Sequence, residues 1–216
     1  MKKLSKLFDK NRAWAEKVAQ QNPHMLAQQV AQQNPEYLWI GCSDSRVSAD
    51  QIIDVKPGDV FVHRNVSNLV IHTDMNCLSV LEYAVHSLKV KHILVVGHYG
   101  CGGVKAAIEG VSHGFIDNWL CHIRDIKQKH WRQLAECEDD VAELDLLCEI
   151  NALEQAYNVC NTTIVRKAWS IGQDLCVHAW VYNMRTGLLQ DLSFTIDSPE
   201  ALEEHLENAI QKLAQR

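Results

Sequence analysis

Short apolar runs alternate along the chain with longer segments in which apolar residues recur every three or four positions. The short runs are rich in β-branched and aromatic residues and are bounded by turn residues, which is typical of buried β-strands. The longer segments have the periodicity of amphipathic helices. The predicted strands are residues 37–42, 59–64, 93–96, 176–182 and 188–194.

Helices are predicted between these strands and at both ends of the chain. Ser48 and Gln51 form a capping-box pattern, and Asp74 and Thr162 are candidate N-caps. The sequence Ser198-Pro199-Glu200 predicts the start of the last helix. The predicted helices cover residues 4–20, 25–33, 48–55, 74–88, 104–108, 118–134, 139–161, 162–172 and the segment from 198 onward.

The order of these elements predicts an α/β fold with a mainly parallel central sheet flanked by helices. The turn at 183–187 makes the fifth strand an antiparallel edge strand. A chain of this length fits one domain, residues 1–216. The helices within 1–34 lack a partner in a βαβ unit, so we predict an N-terminal arm that packs on another subunit; the alternative is an extra layer on the sheet. Residues 35–216 then form the body.

The composition is that of an ordinary globular protein, with 47% hydrophobic and 22% charged residues. A formal net charge of −6 argues against a nucleic-acid-binding surface. No apolar run approaches the roughly 20 residues of a membrane span. The first residues lack the apolar core of a secretory signal. We therefore expect a cytoplasmic protein with neither nucleic acid nor membrane as its partner.

Two of the predicted strands end in residues that bind metal ions. Cys42, Asp44 and Arg46 stand at alternate positions, and side chains two apart share a face of an extended chain. His98 and Cys101 follow the third strand. The carboxyl ends of parallel strands meet at one edge of a sheet, where α/β folds bind their ligands. Thiolate and imidazole are zinc ligands, so Cys42, His98 and Cys101 predict one zinc site with an open fourth position.

Asp44 has two interpretations at this site. As a fourth ligand it would close the site, whereas as a hydrogen-bond acceptor it would leave one position for water. Arg46 decides between them, because a bidentate Arg–carboxylate pair would hold Asp44 away from the metal. Two thiolates weaken the Lewis acidity of the ion, so we expect activity to favour alkaline pH. A purely structural zinc site remains an alternative at this point.

The other cysteines stand apart from this pattern. Cys77, Cys148, Cys160 and Cys176 occur singly within apolar segments, and we interpret them as small buried hydrophobic residues. Cys101 has no Cys-x-x-Cys partner, which argues against a thiol redox enzyme.

The segments around the predicted ligands resemble the β-class carbonic anhydrases, and their bacterial branch in particular. The similarity rests on residues 42–46 and 98–103, with further matches at 61–66, 72–74, 118–119 and 122–124. The resemblance implies reversible hydration of carbon dioxide to bicarbonate and a proton, by attack of zinc-bound hydroxide. By position it makes Cys42, His98 and Cys101 the ligands of one Zn2+ per subunit, Asp44 and Arg46 the catalytic pair, and Asp44 a fourth ligand in a closed state.

The same resemblance implies an active site at the interface of a homodimer, which a homotetramer would repeat. The implied substrate pocket comprises Gln33, Phe61, Val66 and Tyr83, with backbone N–H groups near Gly102 and Gly103 facing substrate oxygens. Trp39, Arg64 and Tyr182 match a triad of one subgroup, in which bicarbonate binds away from the zinc and favours the closed, inhibited state.

Two other functions share these ligands. A protein that only holds zinc would tolerate Asp44→Ala and Arg46→Ala with little change. Relatives of the β-class carbonic anhydrases hydrolyse carbon disulfide or related small molecules, and access to the pocket rather than ligand identity separates them from the carbon dioxide enzymes.

Overall fold

A five-stranded sheet lies at the centre of the computed structural model, which describes residues 4–24, 27, 30 and 33–215. The strands are β1 (Tyr37–Cys42), β2 (Val60–Asn65), β3 (His92–His98), β4 (Cys176–Asn183) and β5 (Leu188–Ile196). Their order across the sheet is β2-β1-β3-β4-β5. Neighbouring strands are parallel except β4 and β5, which are antiparallel. The predicted α/β fold with one antiparallel edge strand is confirmed.

Helices connect the strands and cover the sheet. They are α1 (Ser5–Gln21), α2 (Ala49–Ile52), α3 (Met75–Glu82), α4 (Gly102–Glu109), α5 (Asp117–Lys129), α6 (Trp131–Ala135), α7 (Asp140–Asn161), α8 (Thr163–Ser170) and α9 (Leu202–Ala214). Helix α3 continues as a π-helix (Tyr83–Leu88). Asp74 and Thr162 cap α3 and α8 as predicted, each by accepting a hydrogen bond from a backbone N–H. Among the described residues, every helix is too short or too polar to span a lipid bilayer.

The two faces of the sheet pack against different layers. Leu38 and Ile40 point into the main core, where the long helix α7 packs across β3 and β4. Trp39, Leu94 and Val96 point to the other face, into a smaller cluster that α2 partly covers. Because alternate residues of a strand face opposite sides, the two central parallel strands, β1 and β3, are buried on both faces. Functional groups are therefore concentrated where these strands end.

Helix α1 extends the chain without burying any of its residues. Leu7 is 57% exposed and Trp14 is 50% exposed. An arm that packs on another subunit requires an exposed apolar surface of this kind. The arm over residues 1–34 stays a prediction. The predicted second helix, 25–33, falls mainly on residues outside the described ones.

One of two further predicted helix starts is confirmed in position and the other is wrong. Ser48 precedes α2, but its side chain makes no capping hydrogen bond and α2 is a single turn. Helix α9 begins at Leu202 rather than at Pro199, because Ala201 has a left-handed backbone with φ of +51°. The side chains of Ser198 and Glu200 hydrogen-bond to each other, and such local contacts compete with helix formation.

The single helix predicted over 118–134 is divided between α5 and α6. The division falls at His130, whose backbone leaves the helical region at φ −108° and ψ 25°. The buried His130 ring lies 2.6 Å from Glu154 Oε1, and Lys129 Nζ donates to the same oxygen at 2.7 Å. The helix thus breaks where His130 and Lys129 contact Glu154 on α7. The spacing of apolar residues over 118–134 did not indicate this break.

Of the cysteines interpreted as buried hydrophobic residues, three are fully buried and one is not. Cys77, Cys148 and Cys160 lie in the main core. Cys176 is only half-buried and lies beside two histidines. Its interpretation as a core residue is wrong, because β4 begins at Cys176 and its first side chain faces the thinly covered side of the sheet.

Candidate metal centre

The three residues predicted to bind zinc converge at the carboxyl edge of the parallel sheet. Cys42 is the last residue of β1 and His98 the last of β3, the strand beside it. Cys101 follows three residues after His98 and immediately precedes α4. A thiol sulfur from each cysteine and one imidazole nitrogen lie within 4.8 Å of one another, and all three residues are buried. The structure thus brings Cys42 beside two residues that lie 56 and 59 positions later in the sequence.

A tight turn sets the spacing of His98 and Cys101. Gly100 has φ of +66°, a left-handed conformation that glycine adopts without the steric cost of a side chain. The Tyr99 N–H donates to the Tyr182 carbonyl at 3.1 Å, which fixes this turn to the end of β4. The chain therefore reverses within two residues and returns the Cys101 sulfur to the edge from which His98 projects.

Ser67 joins the centre without any signal in the sequence. Its backbone N–H donates to the Cys42 sulfur, and its hydroxyl oxygen lies 3.4 Å from the Cys101 sulfur. The residue adopts φ of +66°, which is unusual for a side chain larger than glycine. Asn151 on α7 supports this conformation by donating to the Ser67 carbonyl at 3.0 Å. Ser67 is recognisable only once β2 and α7 are in place.

Gly103 allows α4 to approach this serine. A Cβ at Gly103 would lie 2.2 Å from Ser67 Oγ and 2.9 Å from Val66 Cγ1, both closer than contact distance. At the neighbouring Gly102, an added Cβ would meet no atom within 4 Å. Only the second of the two glycines is therefore required by packing.

The donor atoms fit a tetrahedral zinc ion. Two sulfurs at the usual Zn–S distance of about 2.3 Å are separated by roughly 3.8 Å, and the Cys42 and Cys101 sulfurs are 3.9 Å apart. His98 donates from Nδ1 to the Tyr99 carbonyl at 3.1 Å, which leaves Nε2 unprotonated in the neutral ring. That Nε2 is buried and has no hydrogen-bond partner among the described residues. A bound cation would satisfy it.

The electrostatic surroundings also favour a cation. The two thiols share a hydrogen bond, which lowers the pKa of Cys101 and raises that of Cys42. Burial disfavours the charged form of His98, but Cys101, the Tyr99 carbonyl and Asp44 outweigh burial and raise its pKa. The lowered pKa of Cys101 favours its thiolate, and the raised pKa values of Cys42 and His98 reflect negative charge in the same small volume.

Asp44 lies at the mouth of the centre and is held by Arg46. The Arg46 guanidinium donates to both carboxylate oxygens, at 2.9 and 2.7 Å, and the Arg46 N–H adds a third hydrogen bond at 2.9 Å. These hydrogen bonds lower the pKa of Asp44. Asp44 Oδ2 lies 3.9 Å from His98 Nε2. Of the two interpretations of Asp44, this geometry corresponds to the one in which arginine holds the carboxylate.

Cys42, Asp44 and Arg46 are expected from the sequence to share one face of an extended chain, and the structure differs from this expectation. Strand β1 ends at Cys42, and a turn follows in which the Val47 N–H donates to the Asp44 carbonyl at 3.0 Å. Asp44 and Arg46 therefore meet through this turn and not through extended alternation. Cys42 is buried, whereas the Arg46 side chain is 61% exposed.

Trp39 and Tyr182, two residues of the predicted bicarbonate triad, pack in the smaller cluster on one face of the sheet. The buried Trp39 indole lies over Gly41, where an added Cβ would be 2.2 Å from Nε1. Gly41 pairs with Arg64, the third member, in the β1–β2 register. The triad residues thus come from three strands, β1, β2 and β4.

Arg64 connects this face to the candidate metal centre. Its guanidinium donates from Nε to the Cys42 carbonyl at 2.9 Å and from Nη2 to the Asp44 carbonyl at 2.5 Å. Among the described residues, no carboxylate forms an ion pair with it within 4 Å. Its charge is therefore available to an anion, and its hydrogen bonds restrain the backbone that carries the metal-binding thiol and Asp44.

The residues of the predicted substrate pocket are only partly brought together within one chain. Val66, Gly102 and Gly103 border the Ser67 loop beside the centre. Phe61 lies four positions before the β2 residue that pairs with Cys42, a separation of about 13 Å along a strand. Its ring contacts the half-exposed Tyr83 at 5.8 Å between centroids. Gln33 lies exposed, four residues before β1.

Comparisons with known proteins agree on one family. The sequence model of the family described as carbonic anhydrase matches residues 37–189. A carbonic anhydrase of Emericella nidulans is 43% identical over 197 residues, covering 91% of this chain and 86% of its own length.

Solved structures of β-carbonic anhydrases superpose on the chain as well. That of a Coccomyxa β-carbonic anhydrase in complex with acetazolamide has a TM-score of 0.86 at 40% identity, covering 95% of this chain and 97% of its own. A tetrameric β-carbonic anhydrase of Sordaria macrospora also has a TM-score of 0.86, at 35% identity, covering 91% of this chain and all of its own.

Proposed function

This chain belongs to the β-class carbonic anhydrases, enzymes that hydrate carbon dioxide, and on that premise we propose how its own residues carry the reaction. Cys42, His98 and Cys101 hold one Zn2+ per subunit. The observation that supports this most directly is the buried Nε2 of His98, which has no hydrogen-bond partner among the described residues and faces two sulfurs 3.9 Å apart. When bound, zinc lowers the pKa of a coordinated water and so supplies the nucleophile at moderate pH.

Asp44 and Arg46 position the reacting groups. Asp44 stays ionised because Arg46 donates to both of its oxygens, and an ionised carboxylate accepts a hydrogen bond from the nucleophile and orients it. In a second, closed arrangement Asp44 leaves Arg46 and supplies a fourth donor to the cation. The 3.9 Å between Asp44 Oδ2 and His98 Nε2 supports this switch, because only a short movement separates the two roles.

The substrate pocket is completed by a second copy of the chain. Val66, Gly102 and Gly103 line it from the chain that holds the metal, whereas Gln33, Phe61 and Tyr83 are exposed or half-exposed and lie apart from the centre. The apolar rings suit carbon dioxide, which has no net charge or dipole. The tetrameric Sordaria macrospora enzyme supports a homodimer or homotetramer. The bacterial branch and the cytoplasmic location remain predictions.

Bicarbonate inhibits the enzyme through Trp39, Arg64 and Tyr182. Arg64 supplies the charge, and the indole and phenol supply hydrogen-bond donors. An anion that recruits the Arg64 guanidinium competes with its hydrogen bonds to the Cys42 and Asp44 carbonyls. Loss of these bonds frees the turn that holds Asp44 in its open arrangement. Arg64→Gln should therefore weaken bicarbonate inhibition while zinc content stays equal to that of the unmodified enzyme.

The experiment that tests the proposed function is stopped-flow carbon dioxide hydration by zinc-quantified protein. We expect the rate to rise steeply between about pH 7 and about pH 9, since two thiolates reduce the acidity of zinc-coordinated water. Asp44→Ala should abolish most of this activity without loss of zinc. Asp50→Ala, at an exposed position, is the matched control. Absence of hydration in protein with stoichiometric zinc would contradict the proposal.

A further inference from the structure

A second group of metal-binding side chains lies at the opposite end of β3. His92 is the first residue of β3, Cys176 is the first of β4, and His178 follows two positions later. His92 and Cys176 pair in the parallel β3–β4 register, and residues two apart share a face. One ligand atom from each of the three lies within 4.8 Å of the other two. All three residues are half-buried, so the group is accessible from one face of the sheet.

The spacing of the nitrogen atoms suits a shared metal ion. His92 Nδ1 and His178 Nε2 are 3.1 Å apart. Two imidazole nitrogens on a tetrahedral ion, at about 2.0–2.1 Å each, are separated by roughly 3.3 Å. These nitrogens are hydrogen-bonded to each other; on one ion they would keep nearly the same separation, while both rings turn so that their lone pairs point to the metal, with the Cys176 sulfur as the third donor.

Neighbouring side chains hold both rings in this arrangement. His178 Nδ1 lies 3.0 Å from the Thr195 hydroxyl, which is the type of contact that orients a metal-binding imidazole. Tyr37 stacks on the His92 ring at 5.7 Å and an interplanar angle of 22°. Trp180 contacts the His178 ring at 5.7 Å. A site with oriented rings loses less conformational entropy on binding.

The charges near the group also suit a cation. Burial and the adjacent His92 lower the pKa of His178, which keeps its ring neutral and able to donate a lone pair. The Asp174 and Asp197 carboxylates act electrostatically on Cys176 and add negative charge beside it. Burial raises the pKa of the Cys176 thiol, so the metal must displace that proton to solvent as it binds.

We propose that His92, Cys176 and His178 bind a second zinc ion, separate from the candidate metal centre. Two imidazoles and one thiolate form a ligand set that suits zinc in tetrahedral geometry. Strand β3 separates the sites: His92 and His98 stand six residues apart, which is about 20 Å along a strand. The ion would link the amino ends of β3 and β4, the strands whose carboxyl ends carry His98 and Tyr182.

Zinc stoichiometry of the full-length protein tests the proposal. After dialysis in buffered zinc and removal of free metal, we expect two zinc ions per chain in the unmodified enzyme and one in Cys176→Ser and in His178→Ala. Both variants should keep carbon dioxide hydration, because neither residue belongs to the candidate centre. Cys121→Ser removes an exposed thiol elsewhere and should retain two ions. Cys42→Ser should lose the other ion and retain this one, which separates the proposal from the proposed function.

A measurement on the unmodified enzyme avoids any folding defect of the variants. Anomalous diffraction at the zinc edge, from crystals grown after the same dialysis, should show two peaks per chain about 20 Å apart, one of them between His92 and His178. A single peak per chain would overturn the proposal. So would a zinc content in Cys176→Ser equal to that of the unmodified enzyme.

Discussion

The Arg46 guanidinium binds both carboxylate oxygens of Asp44, from Nε at 2.9 Å and from Nη2 at 2.7 Å. Two parallel, charge-assisted hydrogen bonds fix the orientation of a carboxylate as well as its charge. Without them, Asp44 would be free to approach His98 Nε2, now 3.9 Å away. In the proposed function, this pair keeps the fourth position of the metal site open.

Arg46→Lys should keep the positive charge and lose the paired geometry. A charge-assisted hydrogen bond contributes about 1.5–3 kcal/mol, so we expect kcat to fall about tenfold to a hundredfold while zinc content stays constant. Stopped-flow hydration with metal analysis measures both quantities. Arg132→Lys, at a residue whose guanidinium contacts Trp131, is the matched control and should be neutral. Unchanged kcat in Arg46→Lys would show that the pair does not position Asp44.

Gly103→Ala should destabilise the protein because the new methyl group would overlap Ser67 Oγ and Val66 Cγ1. Overpacking of this kind costs about 1–3 kcal/mol. Gly102→Ala meets no atom within 4 Å and adds helix propensity of up to about 1 kcal/mol, so it should be neutral or stabilising. Urea unfolding of the two variants gives the comparison. Equal free energies of unfolding would mean that α4 does not depend on close approach to the Ser67 loop.

Glu154→Gln should lower stability at neutral pH and have a smaller effect in acid. Burial raises the pKa of Glu154, but hydrogen bonds from His130 and Lys129 outweigh burial and lower it. Because the pKa of Glu154 is lower in the folded protein than the value of about 4.3 in the unfolded chain, its ionised form stabilises the fold above about pH 4.3. This stabilisation is lost as the pH falls through the pKa of the folded state. We expect a deficit of about 1.5–3 kcal/mol near pH 7 that narrows below about pH 4.

Denaturant unfolding of both proteins from about pH 3 to about pH 7 measures this deficit. Glu143→Gln is the control, because its ion pair with Lys127 is more exposed and should contribute less than about 1 kcal/mol. A deficit that stays constant across the pH range would contradict an ionised Glu154.

Helix α1 should determine the oligomeric state. Leu7, Trp14 and Val18 are spaced seven and four residues apart and share one helix face, yet none is buried. The double substitution Leu7→Glu and Trp14→Glu should shift the enzyme toward smaller assemblies in light scattering. Arg12→Glu changes charge on the opposite face and should leave the assembly intact. Full-size assembly in the double variant would assign α1 to another role.

The strongest local patterns identified most of the fold. β1 and β3 are continuous apolar runs, and Asp74 and Thr162 are cap residues whose side chains act within a few positions of themselves, so neighbouring sequence was enough to predict them. Local sequence was not enough at Ala201, whose left-handed backbone delays α9, or at His130, where a contact with Glu154 on α7 accompanies the end of a helix. The outcome at His130 involves a residue 24 positions away in the chain.

The sequence by itself determined the chemistry of the candidate centre, because Cys42 and His98 end apolar strands, Cys101 follows three residues after His98, and such strand ends meet at one sheet edge. Tertiary structure alone decided what surrounds that chemistry. The left-handed Ser67, held by Asn151, meets the sulfurs only when α7 packs on the sheet. His92 and Cys176 are 84 positions apart and become neighbours only through the β3–β4 register. Periodicity encodes which face a residue occupies, whereas strand order decides its neighbour.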